Sequence, residues 1–420
     1  MVESRFSMLP EKSLFWLQLI LLVVLTFLAI LFRRPDQFFH PYVWAEDGVL
    51  ILPDFAASGW RTILHPIAGY FILPAKLIFA ISATISFRWL PEISYWITVA
   101  FAAFVVTAIA FSPTQLRYSK ACALAPLLIP IDSEVYGVSL FSGWWGTLLA
   151  VLPLLWRADG LQKTTYRLTL LVVGGLSSPL IIGLSPLYAL RAVREQTRSS
   201  VVDLGVCLLL AAIQASSLLF TQQMPVAGSF ELAPILLIEK FFGDFLLVAS
   251  TPAQLPEAFS LGVALLAFLF YGCWKQRNSL GIPFLLLLGC FSVSLLLSIA
   301  RQPLSAIHPS LGGPRYFFLP YTFLAWIIIQ LVSVSEGITR VIALSLLAIA
   351  TKNTFHVAQR RHDSIDWRAQ VTECGNSLSY SLPIHVAGSK EFLWHVDMTG
   401  ADCRRLVRHS WFDNDDEFVR

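Results

Sequence analysis

The sequence predicts an all-α polytopic membrane protein with about nine transmembrane helices, one re-entrant segment and a small C-terminal α+β domain. Of its 420 residues, 56% are hydrophobic and only 14% are charged, whereas roughly one-quarter of the residues in a soluble domain are charged. The apolar residues form runs of about 20, the length that an α-helix needs to cross a bilayer. Short Lys and Arg clusters separate these runs, and such clusters favour the cytoplasmic side.

The first apolar run, residues 14–32, is followed by Arg33 and Arg34 without a small-residue cleavage site, so we expect a retained membrane anchor. Further runs suitable for spans follow along the chain. They cover residues 67–87, 92–111, 137–156, 201–220, 258–274, 281–300, 317–334 and 338–351. An odd number of spans, with the basic clusters inside, predicts a cytoplasmic N-terminus and an exported C-terminus.

The segment 168–190 is long enough to cross once, yet Arg167 and Arg191 flank both of its ends. A Gly-Gly pair and Pro179 interrupt its middle. Helix breakers at membrane depth require protein or water to satisfy the freed backbone groups. We therefore predict a re-entrant hairpin with both ends in the cytoplasm.

Two other segments depart from a simple span. Residues 121–131 are too short to cross, so we expect a shallow or re-entrant piece on the outer face. Residues 235–248 hold Glu239, Lys240 and Asp244 among apolar residues, which favours an amphipathic helix on the membrane surface.

The predicted domain division separates a transmembrane module from an exported domain. The module covers residues 1–351, with outer loops at 33–66 and 221–256, and the exported domain covers residues 352–420. Cys374 and Cys403 lie in this polar tail, where an oxidising compartment would allow them to form a disulfide.

The first group of candidate site residues lies in the first outer loop. Glu46 and Asp47 are adjacent carboxylates, preceded by Trp44. One carboxylate could take a proton from an acceptor hydroxyl while the other supports it. The alternative is that both acids only solvate the loop and that Trp44 anchors the membrane interface.

The second group is Asp132 and Glu134, with Trp144 further along the chain. Acidic residues at the edge of an apolar bundle are costly and are often functional. Here they could bind the acceptor or assist the base. The alternative is that they mark a helix boundary at the interface.

The third group is Arg315 and Tyr316, which follow a Gly-Gly-Pro turn. The guanidinium of Arg315 is suited to bind a lipid phosphate, and Lys76 is a second cation that could reach the same pocket. A snorkelling arginine beside lipid headgroups would give the same pattern.

Several classes of function are disfavoured. The chain has no Gly-rich nucleotide loop, no metal-ligand spacing and no catalytic Cys-His pair. A net charge of +3 gives no reason to expect nucleic acid. We therefore expect no cofactor and no metal, and a membrane-borne substrate.

The architecture and these motifs resemble the GT-C type of membrane glycosyltransferases, and are similar to the serotype-converting O-antigen glucosyltransferases of bacteria and their phages. The resemblance rests on residues 44–48, the Gly69-Tyr70 pair, residues 130–134 and the Arg315-Tyr316 pair. It implies inverting transfer of a sugar, such as the hexose glucose, from a polyprenyl-phosphate carrier. The acceptor would be a lipid-linked glycan such as the O-antigen of lipopolysaccharide, on the periplasmic side of the inner membrane.

The resemblance also implies roles for the candidate residues. Asp47 or Glu46 would be the general base, with a slight preference for Asp47. Acceptor or donor binding would involve Trp44, Tyr70, Asp132, Glu134 and Trp144, and lipid-phosphate binding would involve Arg315, Lys76 and Tyr316. A flippase and a carrier-loading glycosyltransferase would be partners, together with membrane lipid.

A transporter or flippase for a lipid-linked sugar is the main alternative, since it would also have many spans and broken helices. Transporters commonly show internal repeats and a midplane site, and neither is visible in this sequence. An O-antigen polymerase, a membrane acyltransferase and a structural membrane protein are further alternatives.

Overall fold

The computed structural model describes residues 11–157, 164–220, 234–357, 359–386 and 389–413. Seven helices in these residues are long and apolar enough to cross a membrane: Lys12–Arg33, Leu90–Phe111, Arg198–Phe220, Pro252–Lys275, Arg277–Arg301, Arg315–Val334 and Gly337–Val357. The protein is therefore an all-α multi-pass membrane protein with a small sheet.

The elements are numbered in chain order. The helices are α1 (Glu11–Arg33), α2 (Pro35–Phe39), α3 (Leu52–Ser58), α4 (Leu73–Ile85), α5 (Leu90–Phe111), α6 (Ser119–Leu128), α7 (Ser142–Leu154), α8 (Thr164–Gly175), α9 (Leu180–Glu195), α10 (Arg198–Phe220), α11 (Pro234–Ile238), α12 (Asp244–Leu246), α13 (Leu255–Lys275), α14 (Arg277–Arg301), α15 (Arg315–Val334), α16 (Gly337–Val357), α17 (Trp367–Asn376) and α18 (Gly400–His409). The strands β1 (Ser379–His385) and β2 (Leu393–Thr399) pair antiparallel. We call the end of the bundle at which α1 ends the site face, and the end at which α1 begins the opposite face.

Helix α6 corrects the prediction that residues 121–131 form a shallow piece on one face. Near its start, the Lys120 ammonium donates to the Gln18 side chain, 2.6 Å away, close to the beginning of α1. At its last turn and beyond its end, the Arg33 guanidinium at the end of α1 donates to the carbonyls of Leu127, Ile129 and Ile131. The segment thus runs between the two faces. Its helix is short, and Arg33 satisfies the backbone groups that a longer helix would bond internally.

Helix α4 replaces the predicted span at 67–87. It has only 13 residues, which gives about 20 Å of helix against the roughly 30 Å of a bilayer core. At the start of α4, the Leu73 amide donates to the carbonyl of Leu176, which lies between α8 and α9. Near its end, the Thr84 carbonyl accepts from the Trp411 amide of the tail. The helix therefore lies within the site-face layer.

The segment 235–248 differs from the prediction of an amphipathic helix on the membrane surface. It forms α11, a π-helical turn (Glu239–Gly243) and α12. Lys240 and Asp244 are buried, and the Lys240 ammonium donates to the Ile307 carbonyl at 2.6 Å. The polar side chains thus point into protein. The first part of the loop, residues 221–233, lies outside the described residues.

Helices α8 and α9 form two arms around the break at residues 176–179. Arg167 on α8 and Arg191 on α9 bind the two oxygens of one carboxylate, Asp203 on α10, at 2.8 and 3.1 Å. Both outer ends of the segment therefore lie at the same end of the bundle. This is the geometry that a hairpin entering and leaving at one face requires.

The tail packs on the site face as a small α+β unit. A disulfide joins Cys374 on α17 to Cys403 on α18. The Trp367 indole N–H donates to the Phe87 carbonyl at 2.9 Å, and the His385 amide bonds the carbonyl of Val43. The tail and the first loop thus form one continuous layer over the bundle.

Candidate functional site

A cavity of about 570 Å³ opens at the site face. Six parts of the chain meet there: the first loop, the start of α7, the break between α8 and α9, the end of α14, the start of α15, and β2. Its polar and aromatic lining consists of Glu46, Tyr70, Phe141, Trp144, Ser177, Ser178, Arg301, Gln302, Arg315, Tyr316 and Trp394. Five residues that the sequence singled out as site residues line this one cavity: Glu46, Tyr70, Trp144, Arg315 and Tyr316.

Glu46 and Asp47 are neighbours in sequence but face different surroundings. A tight turn begins at Ala45, whose φ is +24°, and the amides of Asp47 and Gly48 both bond the Trp44 carbonyl. The Glu46 side chain lines the cavity. The Asp47 side chain is only 3% exposed and accepts from the Leu140 amide at 3.2 Å.

Burial of Asp47 has a chemical consequence. Loss of water around the carboxylate raises the pKa of Asp47 to about 7, although hydrogen bonds from Ser139 and Leu140 act in the other direction. The slight preference for Asp47 as the base therefore loses support from the structure. Its side chain supports the wall of the site, and Glu46 is the carboxylate with access to the cavity.

Arg315 begins α15 and forms a short ion pair beside the cavity. Its guanidinium donates to Oε1 of Glu134 at 2.6 Å, and the Glu134 amide donates to the Asp132 carboxylate at 2.9 Å. The guanidinium also lies 5.4 Å from the ring centroid of Tyr316, a distance at which cation–π attraction acts. Arg315 is thus held in place before any ligand binds.

Arg301 is a cavity residue to which the sequence assigned no role. Its guanidinium lies 5.0 Å from the ring centroid of Tyr70, and no carboxylate of the described residues lies within ion-pair distance of it. In the sequence, an arginine at the end of an apolar run indicates membrane topology. For this reason the sequence did not predict that Arg301 lines the same cavity as Arg315. Trp394, which the sequence suggested either as part of a glycan site or as core of the tail, reaches the cavity from the tail.

Lys76 does not line the cavity, in contrast to the role that the sequence suggested. The side chain is 1% exposed. Its ammonium donates to the carbonyls of Thr62 and His65 at 2.7 and 2.6 Å and to the Asp54 carboxylate at 3.2 Å. All three donor positions of the ammonium are therefore used within the first loop.

Trp44 and Asp132 also lie outside the cavity lining, and both contact Arg360 of the tail. The Arg360 guanidinium lies 4.9 Å from the Trp44 ring centroid and 3.1 Å from the Asp132 carboxylate. Burial raises the pKa of Asp132, while the nearby guanidinium groups of Arg360 and Arg34 oppose this shift. These residues join the tail to the layer beneath it.

A buried polar cluster that the sequence did not indicate reinforces this junction. The Asp36 carboxylate binds Arg34 at 3.1 Å, accepts from the Tyr42 hydroxyl at 2.8 Å and lies 2.7 Å from Nδ1 of His362. Although burial acts to raise it, the charge of Arg34 and these hydrogen bonds hold the pKa of Asp36 well below its usual range. His362 belongs to the tail, so the cluster attaches the tail to the end of α1.

The described residues contain no group of three or more His, Cys, Asp or Glu side chains that could hold a metal ion. The fold and cavity define a polytopic membrane protein with one aromatic, carboxylate- and guanidinium-lined site at an end of its bundle. Comparison with known proteins found no family model, no curated protein and no solved structure that matches this chain.

Proposed function

We propose that this protein is an inverting glycosyltransferase that moves a hexose from a polyprenyl-phosphate carrier to a lipid-linked glycan. The observation that carries the proposal is the shared cavity, in which one carboxylate, two guanidinium groups and five aromatic rings line the same space. Its volume of about 570 Å³ falls in the range of sites that enclose a small ligand. The aromatic rings would contact the sugars, the guanidinium groups would bind the phosphate, and the carboxylate would accept the proton.

Glu46 is the base in this mechanism. The acceptor hydroxyl oxygen attacks the anomeric carbon of the donor sugar, and Glu46 takes the hydroxyl proton. The bond between the anomeric carbon and the phosphate oxygen breaks, and polyprenyl phosphate leaves with the bonding electrons. Attack from the face opposite the leaving group inverts the anomeric configuration.

Arg301 and Arg315 together bind the phosphate. Negative charge develops on the phosphate as it leaves, and guanidinium groups fixed beforehand stabilise that charge without reorganising. Glu134 already offsets part of the charge of Arg315. Arg301, which has no carboxylate partner among the described residues, then supplies the second positive charge.

The aromatic residues suit the two sugars. Trp144 and Tyr316 meet edge to face with their ring centroids 6.1 Å apart, and Trp394 enters from the tail. Such rings offer apolar faces on which the C–H face of a sugar can pack. We propose that the acceptor glycan, the bulkier substrate, lies towards Trp394, because the tail is the outermost layer of the site face.

The proposal includes a location and partners. The site face would be periplasmic in a bacterial inner membrane, and the acceptor would be an O-antigen-like glycan. A carrier-loading glycosyltransferase would make the donor in the cytoplasm, and a flippase would bring it to the periplasmic leaflet.

The test is transfer in cells that supply polyprenyl-phosphate glucose and a lipopolysaccharide acceptor. Wild type, Glu46→Gln and Glu257→Gln are expressed to equal membrane levels, and the released glycan is weighed by mass spectrometry. Glu257 is an exposed glutamate at the start of α13, so its substitution matches the chemical change away from the cavity.

We expect one added hexose per repeat with wild type and with Glu257→Gln, and none with Glu46→Gln. Unmodified glycan in all three strains would contradict the transferase, provided that the donor is detected in the membrane. If the donor instead moved between leaflets only when the protein was present, the protein would be a flippase for a lipid-linked sugar.

A further inference from the structure

A second cavity lies near the opposite face, between α9, α13 and α14. It encloses about 480 Å³. Its wall is apolar apart from two arginines, Arg194 and Arg277. The site face plays no part in it, so what binds there is independent of the proposed transfer reaction.

The break in α14 gives this cavity its shape. Gly281 has φ +64° and ψ −169°, outside helical geometry, and Pro283 two residues later has no amide hydrogen to donate. The first turn of α14 is therefore set apart from the remainder of the helix. A non-glycine residue at position 281 would be strained in this conformation.

The two arginines carry charge that the described residues do not neutralise. No carboxylate of the described part of the chain lies within ion-pair distance of Arg194 or Arg277. The neighbouring Arg191, in contrast, binds both Glu195 and Asp203. Both Arg194 and Arg277 are exposed, so an anion can reach them without displacing a carboxylate of the described residues.

The apolar wall distinguishes a lipid from a soluble anion. Leu285 and Leu288 line the cavity one and two turns beyond Gly281, towards the middle of the bundle. Leu285 is 58% exposed. Trp274 lies at the arginine end, with the Arg277 guanidinium 5.8 Å from its ring centroid, and tryptophan at this position is typical of the membrane–water interface.

We propose that this groove, lined by Arg194, Arg277, Leu285 and Leu288, binds an anionic glycerophospholipid. The two guanidinium groups bind the phosphate and any second anionic group of the headgroup. One acyl chain lies along Leu285 and Leu288. A zwitterionic lipid would fill the same apolar wall but would gain less from the two positive charges.

The test uses the full chain in mild detergent, with native mass spectrometry to count retained lipids after addition of phosphatidylglycerol or phosphatidylcholine. Three proteins are compared: wild type, Arg194→Gln/Arg277→Gln and Arg157→Gln/Arg340→Gln. Arg157 and Arg340 are exposed and lie at the same end of the bundle, so the third protein controls for loss of two charges.

We expect wild type and the control to retain phosphatidylglycerol at least about fivefold more strongly than phosphatidylcholine, on the basis of roughly fivefold per basic residue near a lipid phosphate. The Arg194→Gln/Arg277→Gln protein should lose this preference. A Leu288→Trp variant, which fills the groove, should reduce binding of both lipids.

Three results would overturn the proposal. Equal loss in the control would indicate general surface charge. Retained preference in the Arg194→Gln/Arg277→Gln protein would place the lipid elsewhere. Displacement of phosphatidylglycerol by millimolar inorganic phosphate would indicate a site for a soluble anion.

Discussion

The guanidinium of Arg315 donates a hydrogen bond of 2.6 Å to the carboxylate of Glu134, 181 positions earlier in the chain. This pair joins the start of α15 to the segment between α6 and α7. It also brings one cation of the cavity into a fixed position beside Tyr316. The site is therefore built by contacts that are distant in sequence.

Removal of Arg315 should reveal how much this pair stabilises the fold. Arg315→Gln leaves the Glu134 carboxylate, whose side chain is 8% exposed, without its ion partner. We expect a loss of about 1–3 kcal/mol, measured as a lower melting temperature in detergent. Glu134→Gln combined with Arg315→Gln should recover part of the loss. Arg340→Gln, at an exposed arginine of the opposite face, should leave the melting temperature unchanged.

The two adjacent acids should differ in their effect on turnover. If Glu46 is the base of the proposed transfer, Glu46→Gln should lower the rate of hexose transfer roughly 10²- to 10⁴-fold, the usual contribution of a general base. Asp47→Asn keeps a hydrogen-bond acceptor for the Leu140 amide and should stay within about tenfold of wild type. The measurement is initial transfer rate in proteoliposomes. A larger loss from Asp47→Asn than from Glu46→Gln, at equal melting temperature, would reverse the assignment.

The raised pKa of Asp47 predicts a pH dependence of stability. In the folded protein this carboxyl releases its proton near pH 7, whereas in the unfolded chain it does so near its ordinary value of 3.8. Between these values the unfolded state binds fewer protons, so the stability contributed by the neutral carboxyl is lost as pH rises through about 7.

Asp47→Asn removes this titration. We therefore expect its free energy of unfolding to exceed that of wild type by an amount that grows from pH 5 to pH 8, with an upper bound of roughly 4 kcal/mol for three pKa units. The measurement is the difference in melting temperature between the two proteins at each pH. Parallel curves for wild type and Asp47→Asn would contradict the shifted pKa.

Glycine packing at the hairpin offers a test of the fold. A Cβ atom at Gly174 would collide with the backbone of Ala150 on α7, so Gly174→Ala should force α7 and α8 apart. We expect a loss of about 1–3 kcal/mol. Gly205 on α10 is a matched control, because a Cβ there meets nothing within 4 Å. Gly205→Ala should be neutral or stabilising by up to about 1 kcal/mol, as measured by melting temperature in detergent.

The tail disulfide can be tested by counting the free thiols of the protein. Cys122, Cys207, Cys273 and Cys290 are free, whereas Cys374 and Cys403 are bonded. A thiol-reactive mass tag should add to four cysteines of the denatured protein without reductant and to six with it. Six tags without reductant would mean that the tail matures in a reducing compartment, against the proposed periplasmic location.

Loss of the disulfide should loosen the tail. The bond closes a loop with a sequence separation of 29, which corresponds to roughly 3–4 kcal/mol in the chain-entropy model. We expect Cys374→Ser/Cys403→Ser to increase protease cleavage of the tail, while Cys273→Ser, at a free cysteine, should not. Reduced transfer activity in the double variant would further support a contribution of Trp394 to the site.

Hydropathy alone was sufficient to predict the membrane class, and most long helices fall where the apolar runs lie. It failed at α4 and α6 for one physical reason. A count of apolar residues cannot tell whether they face lipid or protein. Residues 73–85 are apolar because the tail packs against them. Residues 119–131 complete a crossing because Arg33 bonds carbonyls in the last turn of the helix and beyond its end.

The sequence by itself also determined which residue types could carry chemistry: an acidic pair, an arginine after a glycine turn, and several aromatic residues near helix ends. Only the tertiary structure decided which of them meet. The turn at Ala45 directs Glu46 into the cavity and buries Asp47. The Lys76 ammonium donates to backbone carbonyls of the first loop, and Arg301 reaches the cavity from the end of α14. These outcomes depend on side-chain direction and on partners distant in sequence, and neither is encoded in a local pattern.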